Sequence, residues 1–248
     1  MLNEQRQRMI LDELKNNPDI TVKELAKKLY VSEPTIRRDF TQLHKKGIIT
    51  KVYGGAILNQ GAADREIPFY LRENEKSSVK SKIAAIASQY VHDGMVVMLD
   101  GSTSAYHMVP FLAKKKDLIV ITSGAKTAVS LAEHNIKTFC TGGQMIINSF
   151  SYVGKQAESF VENINADILF FSCHGLSNEG YMTDLSIEEA NLRCAMFKSS
   201  KKKILLCDNS KIGKTYFYNM GRLDDIDCVI SDEKLPENIL KLLNKESD

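Results

Sequence analysis

The chain lacks any cysteine pattern that could organise a fold. Its five cysteines (Cys140, Cys173, Cys194, Cys207 and Cys228) are odd in number, scattered, and nowhere form a Cys-x-x-Cys pair. A disulfide framework and a spaced zinc site are thereby excluded, and reduced, mostly buried thiols are expected. Cys173 beside His174 does not alter this, because adjacent ligands without spaced partners make a poor metal site. No metal and no cofactor is expected. Also missing are a signal peptide and any apolar run long enough to cross a bilayer, so a cytoplasmic protein without membrane attachment is expected. Excess charge is absent too: 33 Lys and Arg against 31 Asp and Glu leave +2 over 248 residues. The balance hides an asymmetry. Residues 1–60 carry eleven basic and seven acidic side chains, whereas the remainder carries 22 and 24. A basic head on a near-neutral body suits a nucleic-acid module joined to a part with a different partner. The length fits one small and one large domain.

What is present is concentrated between Val31 and Ala56. Ser32 is placed to cap a helix that Glu33 and Pro34 open, where proline is tolerated because the first N–H groups have no intrahelical partner. Ile36, Phe40 and Leu43 fall at i, i+4 and i+7 and make one apolar stripe. Arg38, Thr41 and Lys45 lie opposite, with Thr35 and Arg37 on the flanks. Gly47 stops the helix, and Ile48–Tyr53 reads as a strand closed by a Gly54-Gly55 turn. Upstream, Thr21-Val22-Lys23-Glu24 matches a capping box, with Val22, Leu25, Ala26 and Leu29 at helical spacing behind it. Three residues, Tyr30–Ser32, separate the two helices, which is the tight turn of a helix-turn-helix. Gln5–Leu14 adds a further amphipathic helix through Met9, Ile10 and Leu14. A helix burying one face and offering arginines on the other, followed by a basic wing, suits double-stranded DNA. Ser32, Glu33, Thr35, Arg37, Arg38, Lys51 and Tyr53 are the expected DNA-binding residues.

The order of these parts resembles the N-terminal domain of the DeoR family of bacterial transcription regulators. The resemblance rests on Thr35-Ile36-Arg37-Arg38-Asp39-Phe40, Leu43, Gly47-Ile48-Ile49 and Gly54-Gly55-Ala56. Family members commonly carry Arg-x-His-Gly-Gly-Ala at the wing, where this chain has Lys51-Val52-Tyr53-Gly54-Gly55-Ala56. The basic position is kept in kind, and a tyrosine hydroxyl still donates to a phosphate.

Residues 59–75 read as a linker between a winged helix-turn-helix over 1–58 and a second domain over 76–248. Beyond Lys76 helices alternate with short β-branched runs, which means an α/β domain with a mostly parallel sheet covered on both faces. Strands are expected at Met95–Leu99, Leu118–Ile121, Thr138–Cys140, Ile168–Phe171, Ile204–Cys207 and Cys228–Ile230. Helices are expected near 79–91, 106–112, 128–132, 157–161, 187–197 and 237–243. Ligands of open α/β sheets bind beyond the C-terminal strand ends. Those ends carry Asp100-Gly101-Ser102-Thr103, Thr122-Ser123-Gly124, Thr141-Gly142-Gly143, Ser172-Cys173-His174-Gly175 and Asp208-Asn209-Ser210-Lys211. Hydroxyls at helix starts favour an anion, Lys211 adds a full positive charge, and Asp100, His174 and Glu189 are suited to sugar hydroxyls. A phosphorylated small molecule is the ligand this chemistry points to.

Resemblance to DeoR regulators extends over almost the whole chain, and their effector domain resembles ribose-5-phosphate isomerase. It is carried here by Asp100–Thr103, Gly142-Gly143, Val153-Gly154, Ala166-Asp167, Glu189-Ala190, Asp208–Lys211 and Ile226-Asp227. The resemblance implies that Asp100–Thr103, Thr122–Ser123 and Ser210–Lys211 line the effector site. With the strand-end reading, the expected effector-binding residues are Asp100, Gly101, Ser102, Thr103, Thr122, Ser123, Gly143, His174, Glu189 and Lys211. Two departures fall in this region: Ser123-Gly124 stands where many members have Asn-Ser or Asn-Gly, and Cys173-His174 replaces small residues. The expected function is a sequence-specific regulator, a repressor of a carbohydrate-use operon, controlled by a phosphorylated sugar and paired as a homodimer or homotetramer. The rival is a sugar-phosphate isomerase with an added DNA-binding head; no acid/base pair in enzyme-like context stands out to support it. A DNA-binding protein without an effector conflicts with the loop chemistry.

Overall fold

The structure, a computed structural model, describes residues 3–58 and 68–243. The chain divides into two compact units, residues 1–74 and 75–248. In the first, α1 (Asn3–Asn16), α2 (Val22–Lys28) and α3 (Glu33–Lys45) precede a hairpin of β1 (Ile49–Val52) and β2 (Gly55–Leu58), and α4 (Phe69–Asn74) follows. The capping box forms: Thr21 N–H donates to Glu24 Oε2 at 2.9 Å, and Glu24 N–H to Thr21 Oγ1 at 3.2 Å. Ile10, Leu14, Leu25, Ile36, Leu43 and Ile49 make a closed core, while Met9 turns outward and Leu11 takes the place expected for it.

Both ends of α3 show how the sequence sets its length. Gly47 at φ +68° ends it: Gly47 N–H donates to the His44 carbonyl and Ile48 N–H to that of Leu43, the two bonds of a Schellman motif. At the start, Ser32 occupies the N-cap position without bonding the backbone; its Oγ pairs with Thr35 Oγ1 at 2.9 Å instead. The wing turn sits one residue earlier than its sequence suggested. Tyr53 and Gly54 form it, because only Gly54 needs positive φ (+79°), and Gly55 already pairs with Val52.

Asp39, on the buried side of α3, is gripped by Arg6 of α1 through two parallel bonds, Nε to Oδ2 and Nη2 to Oδ1, the latter 3.0 Å. Both side chains are buried, so the pair locks the orientation of α3 from behind. The Asp39 carboxylate raises the Arg6 pKa against the opposing effect of burial. The stretch read as a linker differs from expectation in its last part. Tyr70 and Leu71 of α4 join the first unit's core, and the Tyr70 hydroxyl accepts from Lys46 Nζ and donates to Gln7 Oε1. The apolar run Phe69-Tyr70-Leu71 supplies the buried surface that a linker would lack; residues 59–67 of that stretch lie outside the described residues.

The second unit runs α5 (Ser77–Ala87), β3 (Val96–Leu99), α6 (Thr103–Tyr106), α7 (Val109–Leu112), β4 (Ile119–Thr122), α8 (Ala125–Glu133), β5 (Lys137–Cys140), β6 (Gln144–Ile146), β7 (Ser151–Val153), α9 (Lys155–Glu162), β8 (Ala166–Phe171), β9 (Gly175–Leu176), β10 (Tyr181–Asp184), α10 (Ile187–Lys198), β11 (Ser200–Leu206), β12 (Tyr218–Arg222), β13 (Cys228–Ile230) and α11 (Glu237–Leu243). Six strands form one parallel sheet in the order β13-β11-β8-β3-β4-β5. Alternation at period two divides its core. Val97, Leu99, Ile168, Phe170, Ile204 and Leu206 face α5 to α8, while Met98, Leu169, Phe171 and Leu205 face α9 to α11. Pairs of short antiparallel strands, β6 with β7 and β9-β10-β12, were not evident in the sequence. The helix expected over 106–112 is two single turns, since Pro110 supports a new start after Met108.

Candidate functional sites

In the first unit Arg37, Arg38 and Lys45 are exposed on α3, with Thr41 half-buried between them. Arg38 makes no hydrogen bond or ion pair with any described residue. Arg37 reaches Glu33 at 3.5 Å across one turn; an exposed pair of this kind is worth about 0.3–0.5 kcal/mol, so either partner can leave for a phosphate or a base. Lys51 Nζ lies 3.4 Å from Thr41 Oγ1, which draws the wing's basic side chain toward the α3 surface. Tyr53 is fully exposed at the wing tip. Ser32, Glu33 and Thr35 stand together at the amino end of α3. Six of the seven expected residues thus lie on α3 or its N-cap or reach toward it, and the seventh, Tyr53, lies on the hairpin.

The second site follows from topology. From β3 the chain builds outward through β4 and β5, then returns to place β8 on the other side of β3. The switch point therefore lies between β3 and β8, where the C-terminal strand ends open a crevice. Asp100 spans it. Its Oδ1 accepts from Ser102 N–H at 3.0 Å, and its Oδ2 from Ser172 N–H at 3.1 Å and Arg193 Nε at 2.8 Å. Asp100 is thus a brace beneath the site, with both oxygens engaged.

Arg193, which sequence reasoning missed, is the hub of this region. Besides Asp100 it binds Asp184 Oδ2 at 2.6 Å and lies 3.5 Å from Glu189 Oε2. It sits on α10 among Ala190, Leu192, Ala195 and Met196, an apolar setting in which a lone arginine was the available signal. Burial works against its charge, but the three carboxylates hold its pKa above the ordinary value. Burial alone would push Asp184 up; the Arg193 charge and the hydrogen bond from His174 hold it well below the usual carboxylate range. His174 Nδ1 is 3.0 Å from Asp184 Oδ1, which fixes the ring. Cys173 packs into the core, so of that departing pair only His174 reaches the surface.

Gly101, Ser123 and Glu189 line one crevice together with Ser151, Tyr152, Val153, Leu192 and Arg193. It holds about 10 Å³, close to a single water. The hairpin β6–β7 closes it. Tyr152 N–H donates to the Ser123 carbonyl at 2.7 Å, Ala125 N–H to the Phe150 carbonyl at 2.9 Å, and a Cβ on Gly101 would meet Ser151 Oγ at 1.8 Å. Two hydroxyls in the described residues, Thr127 Oγ1 and Ser149 Oγ, are buried without a hydrogen-bond partner. Thr127 Oγ1 lies against Gly124, itself packed on Gly101 Cα. No side chain caps the nine-residue α8 at Gly124. By contrast α6, a single turn capped by Ser102, is too short for a useful dipole.

The remaining expected residues are distributed around this centre. Thr103 is buried in the first turn of α6, and Thr122 Oγ1 accepts from Gly124 N–H at 3.0 Å. Lys211 Nζ donates to Ser172 Oγ at 2.7 Å, which brings its charge to the mouth of the β8–β11 loops. Asp208 is held low: burial opposes its charge, but Lys211, Ser210 and Lys76 outweigh it. Gly143, at φ +102°, makes a tight turn against the Val153 carbonyl, to which a Cβ would come within 2.4 Å. A wider groove of about 410 Å³ lies at the opposite, N-terminal ends of β4 and β5, lined by Lys115, Asp117, His134 and Lys137, and no strand-end loops converge there. Among the described residues no group of three or more His, Cys, Asp and Glu is arranged to hold a metal, and no helix is long and apolar enough to cross a membrane.

Comparison with known proteins matches residues 6–62 to the DeoR-like helix-turn-helix domain and 75–233 to the DeoR C terminal sensor domain. The HTH-type transcriptional regulator GolR of Listeria innocua is 34% identical over 96% of this chain and 93% of its own length. The L-fucose operon activator of Haemophilus influenzae is 28% identical, covering 95% and 94%. The putative aga operon transcriptional repressor of Escherichia coli O157:H7 is 28% identical, covering 97% and 90%. Among solved structures, ribose 5-phosphate isomerase A from Methanocaldococcus jannaschii aligns with 55% of this chain and 54% of its own at 15% identity and a TM-score of 0.42, too loose a likeness to argue from. A basic helix-turn-helix with its wing, a parallel-sheet unit, and both family models spanning most of the sequence lead to one conclusion: the chain belongs to the DeoR family of DNA-binding transcriptional regulators.

Proposed function

We propose that the chain is a cytoplasmic repressor of a carbohydrate-use operon that binds operator DNA as a homodimer or homotetramer and releases it when a phosphorylated sugar enters the crevice beyond β3 and β4. The 1–58 segment reads the operator through Ser32, Glu33, Thr35, Arg37, Arg38, Lys51 and Tyr53. Residues 76–248 sense the effector, with Gly101–Thr103, Ser123, Glu189, His174 and Lys211 around the ligand and Asp100, Thr122 and Gly143 shaping the loops. The observation that carries this reading is the convergence beyond the C-terminal ends of β3 and β4. Two strand-end loops, a helix start without a side-chain cap and the unpartnered hydroxyl of Thr127 lie there, features that favour an anion. An isomerase would need a base free to take a proton; of the three candidates Asp100 is committed to Arg193 and His174 Nδ1 to Asp184, so that rival reading would have to rest on Glu189 alone.

Ligand controls DNA affinity by binding two arrangements of the protein unequally; a coupling of about 1–3 kcal/mol changes operator affinity roughly 5–150-fold. Pairing follows from DNA geometry, since two half-sites need two recognition helices. The test is a mobility-shift titration on the protein's own upstream promoter with a panel of sugar phosphates. Retardation relieved by one phosphorylated sugar and not by its unphosphorylated form supports the reading. Specific binding strengthened by the sugar would make the protein an activator, and binding without response would remove the effector site.

A further inference from the structure

Glu189 carries an oxygen that the protein leaves without a donor. The residue is 5% exposed and lines the crevice beside Gly101 and Ser123. Its Oε2 lies 3.5 Å from Arg193 Nη2, the outer limit of a hydrogen bond, and that guanidinium is held more closely by Asp184 at 2.6 Å and Asp100 at 2.8 Å. Oε1 accepts no hydrogen bond from any described residue. An oxygen on a crevice-lining carboxylate takes its donor from water or from whatever enters, so a ligand that displaces that water must supply a donor of its own. Charge adds a second constraint. Asp100, Asp184 and Glu189 share the one Arg193 guanidinium, with His174 Nδ1 also on Asp184, so carboxylates outnumber the guanidinium three to one. The phosphate-favouring features lie next along the chain from the crevice residue Ser123, at the α8 start and at Thr127 Oγ1.

Resting on the effector reading above, we infer that Glu189 selects the effector's second functional group. It requires a hydroxyl or ammonium donor a few atoms from the phosphate and rejects a further acidic group. The effector class is then a neutral or amino sugar monophosphate, and excludes phosphorylated sugar acids and bisphosphates. Sites built to hydrogen-bond a ligand group discriminate strongly, because an unsuitable ligand leaves the buried partner unpaired. A second carboxylate would also meet Glu189 directly, with Arg193 already committed elsewhere. Entry requires the Ser149–Val153 segment to lift, since the closed crevice admits about one water.

The experiment is isothermal titration of the full chain, wild type and Glu189→Gln, with three matched probe sets. These are the 6-phosphates of glucose, galactose and mannose; their 2-amino counterparts; and the corresponding 6-phosphoaldonates. The wild-type chain is expected to bind at least one neutral or amino sugar phosphate about 10- to 100-fold more tightly than any aldonate. Glu189→Gln should narrow that ratio at least about tenfold, partly by gaining aldonate affinity, a gain that a misfolded variant cannot produce. Preference for the amino set would assign an ammonium, and preference for the neutral set a hydroxyl, as the group read. Equal wild-type affinity for aldonates, or a ratio unchanged in Glu189→Gln, overturns the inference while leaving the effector site in place. Failure of every phosphate probe to bind the wild-type chain would instead remove the reading on which it rests.

Discussion

Replacing Arg193 with Met removes the guanidinium shared by three buried carboxylates while keeping most of the side-chain volume. Breaking a buried ion pair by deleting one partner costs about 3–5 kcal/mol, because the remaining charge is stranded. In a unit of this size that corresponds to a fall in Tm of about 6–20 °C. The deficit should depend on pH in a definite direction. Asp184 is depressed in the native state, so its contribution is present above its unfolded pKa of about 3.9 and is lost as pH falls through the native value. In Arg193→Met the depression is largely relieved and Asp184 protonates more readily. The gap between wild type and variant should therefore be widest near pH 7 and close progressively below about pH 5. Urea denaturation between pH 8 and pH 4, followed by circular dichroism, reads both quantities. A gap under about 1 kcal/mol at pH 7, or one constant across the range, would refute the account of Arg193 as the hub.

Arg38→Ala should cost about 1–3 kcal/mol of operator discrimination, and unchanged affinity in both Arg37→Ala and Arg38→Ala mobility shifts would displace the DNA surface from α3. Lys51→Ala should weaken all DNA sequences alike and reduce the slope of log affinity against log salt by about one, as expected of a phosphate contact. Gly101→Ala places a methyl against Ser151 Oγ and should destabilise by about 1–3 kcal/mol; Gly101→Ala with Ser151→Gly should recover most of this in thermal melts, and failure to do so would mean the clash lies elsewhere. Asp39→Ala should destabilise the first unit by about 3–5 kcal/mol, seen as an earlier unfolding step, because it strands Arg6.

The helix-turn-helix was legible because its determinants are local: a 3.6-residue stripe, a capping box and the Gly47 stop all act within one or two turns. The parallel sheet was legible for a similar reason, since buried strands appear as short β-branched runs whatever their order. Strand order itself was not, and with it the switch point between β3 and β8. Arg193 escaped notice because its partner Asp100 lies 93 positions away and is adjacent only once α10 packs under the strand ends. The β6–β7 hairpin escaped because strands of three residues are too short for alternation to show. Asp39, read only as part of a motif, proved to be its buried anchor to Arg6. Tyr70 shows the opposite failure: an apolar triplet was passed over because the residues before it read as punctuation.

The docking of Tyr70 and Leu71 has a consequence for mechanical relay along the chain. Because α4 is fastened to the helix-turn-helix core, the covalent path from one unit to the next leaves the DNA-binding body at Asn74 and not at Leu58. A glycine insertion between Asn74 and Glu75 should therefore uncouple operator release from effector binding. An excised fragment should likewise fold when it ends at residue 74 and lose its lid over Gln7 and Lys46 when it ends at residue 58.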